Sequence, residues 1–198
     1  MDKFEFGGFT AEFIPGWLSF HADDEINNDE WLRSWGKWMV DVNDGFGIVV
    51  DLSVAAMISG LVKFTKLSEI STTENGEKRA CWCLYVKIDD IDTHRKILKF
   101  LKNRGFLNEN NNVRYKTNWQ TKQGLYGKQF KPILKPSDFI DLKTGEFIKT
   151  EKEKEEERME ATRYFENKYP DECKRIESVL NRTISPEEIE KTMEMFSS

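Results

Sequence analysis

The chain has 198 residues, of which 38% are hydrophobic and 13% aromatic, enough for one packed core with an appendage and too much for a disordered polypeptide. No run of about 18 apolar residues occurs, since the most apolar stretch, 48–61, is broken by Asp51, Ser53 and Ser59, which excludes an obvious membrane helix. The net charge of −5 hides a division along the chain: 95–135 carries eleven cations against the single acid Glu109, while the first 94 residues and the last 49 are both acidic.

The opening, MDKFEFGGF, has no apolar signal core, and KFEF, FTAEFI and WLSF read as short strands joined at Gly7-Gly8 and Pro15-Gly16. Asn28 is a candidate cap for a helix opening with Asp29 and Glu30. Trp31, Trp35 and Trp38 then fall at i, i+4 and i+7, one helical stripe, although Gly36 weakens a helix there by about 1 kcal/mol. This stripe is flanked by Asp23, Asp24, Glu25, Asp41 and Asp44. Two readings stay open: the tryptophans are core, or they form an aromatic patch rimmed by acids that suits a basic helical partner.

Segment 48–61 fits a buried helix or strand, and its alanines and Met57 favour a helix after Asp51. LVKFTKLSEIS and ACWCLYVKI, joined around Asn75-Gly76, predict a hairpin. In its second strand Ala80, Trp82, Leu84, Val86 and Ile88 share one face, and Cys81, Cys83, Tyr85 and Lys87 the other. Asp92 is expected to cap the helix THRKILKFLKNR, closed by Gly105. RYKTNWQTKQGLYGKQF reads as irregular strands or a long loop, and PILKPSDFIDLKTGEFI adds one or two short strands turning at Lys143-Thr144-Gly145.

From Lys149 the composition changes to EKEKEEERMEATRYFENKY, a charged helix, and two more helices are expected, DECKRIESVLNR and one starting at Ser185-Pro186-Glu187. The expected architecture is therefore α+β: a mostly antiparallel sheet with packed helices over 1–149, and a charged helical region over 150–198.

Catalytic chemistry finds little support. The only histidines, His21 and His94, read as surface residues, so a nucleophile lacks an evident base. Cys81 and Cys83 with a distant Cys173 do not make the four-ligand set of a zinc site, and an odd count without a signal peptide argues against a disulfide framework. No phosphate-cradling glycine motif is present; Asp89-Asp90-Ile91-Asp92 doubles as a helix start. The expectation is a cytoplasmic protein with no catalytic residue, metal or cofactor. An enzyme with a cysteine nucleophile is the residual alternative.

Binding chemistry is better represented. Arg114, Lys116, Trp119, Lys122, Lys128 and Lys131 interleave cations with aromatics, including Tyr115 and Tyr126, as phosphate neutralisation and base stacking require. The competing reading makes the aromatics core strand residues behind a solvated basic face.

Taken over its whole length, through MDKFEFGGF, WLRSWGKW, CWCLYVKIDD and the charged tail, the chain resembles the proteins by which staphylococcal phages inhibit host RNA polymerase, binding domain 4 of the primary sigma factor. Its 114–147 stretch is similar to the ends of small proteins of phages and mobile elements of low-GC Gram-positive bacteria. The resemblance implies a non-enzymatic transcription inhibitor bound to sigma factor within the holoenzyme. Asp29, Glu30, Trp31, Trp35 and Trp38 would then meet the partner, and the basic segment would face upstream promoter DNA. The alternatives are a nucleic-acid-binding phage protein using 95–135, or another host-takeover or anti-defence inhibitor, such as a nuclease inhibitor.

Overall fold

A computed structural model describes residues 3–22, 27–43, 45–108, 113–172 and 174. The chain divides into two units, residues 1–148 and 149–198.

The first unit is an antiparallel eight-stranded sheet with helices packed on it, the α+β class that the sequence implies. Strands β1 (Lys3–Phe6), β2 (Phe9–Ile14) and β3 (Trp17–Ala22) form a meander. A short helix α1 (Asn28–Ser34) runs straight into β4 (Trp35–Val42). Helix α2 (Phe46–Ile58), strands β5 (Phe64–Ser68), β6 (Ser71–Thr72) and β7 (Lys78–Lys87), and helix α3 (Ile91–Asn103) follow. Strand β8 (Arg114–Thr117) leads directly into α4 (Asn118–Lys122). The strand order is β1-β2-β3-β5-β7-β4-β8, with β6 pairing β7.

The tryptophan stripe is not helical. Helix α1 ends at Ser34 and the chain becomes strand at Trp35, so Trp35 and Trp38 lie on opposite faces of β4. The cause is tertiary. Trp38, Val40 and Val42 have a period of two, and β7 pairs with them along its length, with Trp38 opposite Leu84 and Val40 opposite Trp82. Gly36 has a positive role here: a Cβ on it would come within 2.6 Å of the Tyr115 ring and 2.9 Å of the Lys116 carbonyl oxygen. Only glycine lets β8 lie against β4 with Tyr115 folded over the strand.

Three helix boundaries also shift. Asn27 rather than Asn28 caps α1, its side chain accepting from the Asp29 N–H at 2.8 Å. Asp90 rather than Asp92 caps α3, accepting from the Thr93 N–H at 3.0 Å. Helix α2 starts at Phe46, ahead of Asp51, because Val49 and Leu52 both reach the core.

The core lies between one face of the sheet and helices α2 and α3. Trp38, Trp82, Leu84, Val86, Ile97, Leu98 and Leu101 are buried there. The two tryptophans bury about 150–250 Å² each, on the order of 4–6 kcal/mol apiece at about 25 cal/mol/Å². Their polar atoms are bonded as well. The Trp82 indole donates to Thr65 Oγ1 at 2.9 Å, and Thr65 donates onward to the Cys83 carbonyl at 2.8 Å.

Beyond α4, the basic aromatic stretch has more structure than a loop. It makes 3₁₀ turns at Gly127–Gln129 and Pro136–Asp138, and the expected late strands reduce to a single bridge between Ile140 and Phe147. Arg95, buried on α3, donates to the Ile148 carbonyl and anchors the end of this unit.

In the second unit, helix α5 (Glu151–Lys168) begins at Thr150 with a reciprocal cap: Glu153 N–H donates to Thr150 Oγ1 at 3.2 Å, and Thr150 N–H donates to the Glu153 carboxylate at 2.6 Å. No residue of α5 is buried. Pairs such as Lys154–Glu151 at 2.7 Å and Arg158–Glu155 at 3.1 Å lace its surface. Of the next expected helix, 171–182, only Asp171, Glu172 and Lys174 are described, and they are helical; its remainder, the last expected helix and Cys173 lie outside the described residues.

Candidate binding surfaces

The face of the sheet away from α2 and α3 carries the chemistry. Its side chains alternate with those of the core, so β4 presents Trp35, Lys37, Met39 and Asp41, β7 presents Cys81, Cys83, Tyr85 and Lys87, and β8 presents Arg114 and Lys116. Trp31 of α1 lies over one end of it. Its ring stacks on Tyr85 at 4.9 Å and meets Phe64 at 5.3 Å and Trp35 at 5.4 Å.

Of the acidic aromatic group, Asp29 and Glu30 are exposed and Trp31 is half-buried. Asp29 pairs with Arg33 at 3.4 Å and Glu30 with Lys87 at 2.6 Å. The Lys87 ammonium holds the Glu30 carboxyl below the ordinary carboxylate range and is itself raised in return. Trp35 is only 7% exposed and Trp38 fully buried, so neither offers a ring to a partner. The flanking Asp23, Asp24, Glu25 and Asp44 lie outside the described residues, while Asp41 is exposed.

Trp38 takes part in a bond that the sequence did not suggest. Its indole N–H donates to His94 Nδ1 at 2.9 Å, and the other ring nitrogen of His94 sits 3.1 Å from the Ile88 carbonyl. These partners fix the neutral tautomer with the proton on Nε2. His94 is therefore not a surface residue, and burial lowers its pKa. His21 stays half-exposed on β3, 3.3 Å from Glu12.

The basic aromatic group divides in two. Arg114 turns to Asp41, donating to both carboxylate oxygens at 2.9 Å. Lys116 is 2% exposed, its ammonium 3.3 Å from the centre of the Tyr126 ring and 5.4 Å from that of Phe130. Both are structural cations. Trp119, at 48% exposed, stands outward with Tyr126 and with Lys122, Lys128 and Lys131. Trp119 lines a cleft of about 420 Å³ with Arg33, Ile88, Thr117, Gln120 and Ile133. Tyr115 belongs to the core, its hydroxyl donating to the Val86 carbonyl at 3.1 Å.

The two groups, about 85 residues apart in sequence, meet in space. Helix α1 enters β4, β8 pairs with β4, and β8 delivers α4, so α1 and α4 pack side by side. Asn118 ties them, its side-chain N–H₂ donating to the Trp31 carbonyl at 2.9 Å. Lys37, which no sequence motif marks, completes the joint by donating to Asn118 Oδ1 at 3.3 Å and Thr121 Oγ1 at 2.9 Å. It is 8% exposed, pairs with no carboxylate among the described residues, and desolvation lowers its pKa. Short helix α4 holds its geometry by a reciprocal cap between Thr117 and Gln120.

Among the described residues no helix is long and apolar enough to cross a membrane, and no group of three or more His, Cys, Asp or Glu is placed to hold a metal ion. No protein-family model, curated protein or solved structure matches the chain.

Proposed function

We propose that this protein works by binding rather than catalysis, as a phage-encoded inhibitor of host transcription. Its target on this reading is domain 4 of the primary sigma factor, within RNA polymerase holoenzyme in the bacterial cytoplasm. The whole-chain resemblance supplies the partner. The observation that carries the reading on the molecule is the joining of α1, with exposed Asp29 and Glu30, to α4, with exposed Trp119 and Lys122. A surface that sets acids beside cations suits a target that is itself mixed, a basic helical protein domain seated on phosphate-rich DNA. The contact set is narrower than the sequence suggests. Asp29, Glu30 and the edge of Trp31 face the protein partner, and Trp119, Lys122, Lys128 and Lys131 face upstream promoter DNA.

The test is capture of purified sigma domain 4, and of holoenzyme on promoter DNA, by the tagged protein in the presence of nuclease where DNA is not required. The expected result is that Asp29→Lys with Glu30→Lys weakens capture of the isolated domain. Lys122→Glu with Lys128→Glu and Lys131→Glu should leave that capture intact and weaken only the promoter-bound complex. Capture of holoenzyme that neither set alters overturns the assignment of faces, and failure to capture sigma factor at all overturns the target.

A second reading is direct nucleic-acid binding, favoured by the exposure of Trp119 and Tyr126 beside three lysines. It requires the protein alone to bind duplex or single-stranded DNA with an affinity that falls steeply with salt. A third, inhibition of another host machine such as a defence nuclease, is distinguished by which complex the tagged protein recovers from host lysate.

A further inference from the structure

We propose that Cys81, Cys83 and Met39 form a sulfur site for a soft monovalent d10 metal ion of the Cu(I) class. The two cysteines are i and i+2 on β7, so both thiols point to the same face, and their sulfurs lie 3.8 Å apart. Met39 is directly opposite Cys83 on β4 and packs in the same cluster. Cys83 is buried, while Cys81 is half-exposed and gives the site a way in.

Geometry separates the two things that paired thiols do. A disulfide needs Cβ atoms about 3.5–4.5 Å apart, whereas same-face neighbours on an extended strand lie about 6.6 Å apart. Closing that gap would require β7 to buckle, and β7 is held on one side by β4 and on the other by β5. A shared metal needs much less. Two thiolates at about 2.3 Å from one ion, with an angle of about 110–120° between them, have sulfurs about 3.8–4.0 Å apart. The strand already holds them at that spacing.

The surroundings select the ion. Two thiolates and a thioether are soft ligands, which favour Cu(I) over hard cations. A zinc site would call for a fourth ligand, and Asp41, opposite Cys81 on this face, is engaged by Arg114. The charge balance also fits a monovalent ion. Two thiols release two protons on taking one such ion, leaving a bis-thiolate complex of charge −1. Lys66, opposite Cys83 on β5, and Lys37 on β4 both bear electrostatically on Cys83 and offset that charge. Ser68 steadies the strand at this point, its hydroxyl oxygen accepting from the Cys81 N–H at 2.8 Å.

The experiment uses the full chain, reduced and anaerobic, with Cys173→Ser to remove the third thiol. Cu(I) is offered in competition with a chromophoric Cu(I) chelator. The expected result is capture of one equivalent. Cys81→Ser and Cys83→Ser each abolish it, and Met39→Leu weakens it by about tenfold or more. Zn(II) offered against a zinc dye should not be captured. Circular dichroism and thermal midpoints establish that each variant is folded; should Cys83→Ser not fold, half-exposed Cys81→Ser carries the test alone. Capture undiminished in the cysteine variants overturns the site, as does no capture by the parent chain, and capture unaffected by Met39→Leu overturns the three-sulfur assignment.

Discussion

The two faces of the sheet use the same strands and the same residue types to opposite ends. On the face under α2 and α3, each large polar-tipped aromatic is buried and bonded: Trp38 to His94, Trp82 to Thr65, Tyr115 to the Val86 carbonyl. On the other face the cations Lys37 and Lys116 are buried, pair with no carboxylate among the described residues, and rest against rings and neutral oxygens. The first face lowers the free energy of the fold, since buried polar atoms that keep their bonds cost little. The second holds charge in place at some expense to stability.

If this contrast is sound, the largest loss comes from the helix-covered face. Trp38→Ala removes a fully buried indole and leaves His94 Nδ1 without its donor. We expect a loss of about 3–5 kcal/mol in urea unfolding. A loss under about 1 kcal/mol would mean that this face tolerates cavities and that the contrast fails. Next is Gly36→Ala, where the new methyl collides with the Tyr115 ring and the Lys116 carbonyl. The expected cost is about 1–3 kcal/mol. Because β8 carries α4, the same change should also disturb the α1–α4 surface, visible as altered Trp fluorescence.

The acid side of the stability curve sharpens the comparison further. His94 is held neutral, with a folded pKa below the ordinary value of about 6.5. Below that value the unfolded chain takes up a proton that the folded chain refuses. Stability from this group is therefore complete above about pH 6.5 and falls as the pH drops beneath it. His94→Gln should lower stability at neutral pH and flatten the decline between neutral and mildly acidic buffer, read from urea midpoints. A decline unchanged in the variant would assign the acid sensitivity elsewhere.

Much of the helix-covered face was legible in the sequence because its signals are local. The 78–88 alternation, the turn at Asn75-Gly76 and the apolar side of α3 each declare a period and an end. Trp31, Trp35 and Trp38 misled because their spacing straddles a helix–strand junction. Trp31 and Trp35 do meet, at 5.4 Å, but Trp38 belongs to the opposite face, and only the β7 partner strand decides that. The candidate surface was half legible. That Cys81 and Cys83 share a face follows from their spacing; their sulfur separation does not. Whether a lysine between aromatics is free was not readable. Lys116 and Lys122 sit in the same pattern, yet Lys116 is covered by Tyr126 and Phe130, from a stretch with no periodicity to announce its path.

The smallest expected effect on stability is at Trp119, and it is the most telling about the second face. The ring is about half exposed, on a five-residue helix whose cap is made by Thr117 and Gln120 rather than by the indole. Trp119→Ala therefore removes little buried area and should change the urea midpoint by no more than about 0.5 kcal/mol. If Trp119 is there to meet a partner, the same substitution should weaken capture of the promoter-bound complex far more than it weakens the fold. A stability loss comparable to that of Trp38→Ala would show that the ring is structural despite its exposure, and would move the candidate surface away from α4. A neutral effect on both stability and capture would limit the proposed DNA-facing surface to the exposed lysines, without an aromatic platform.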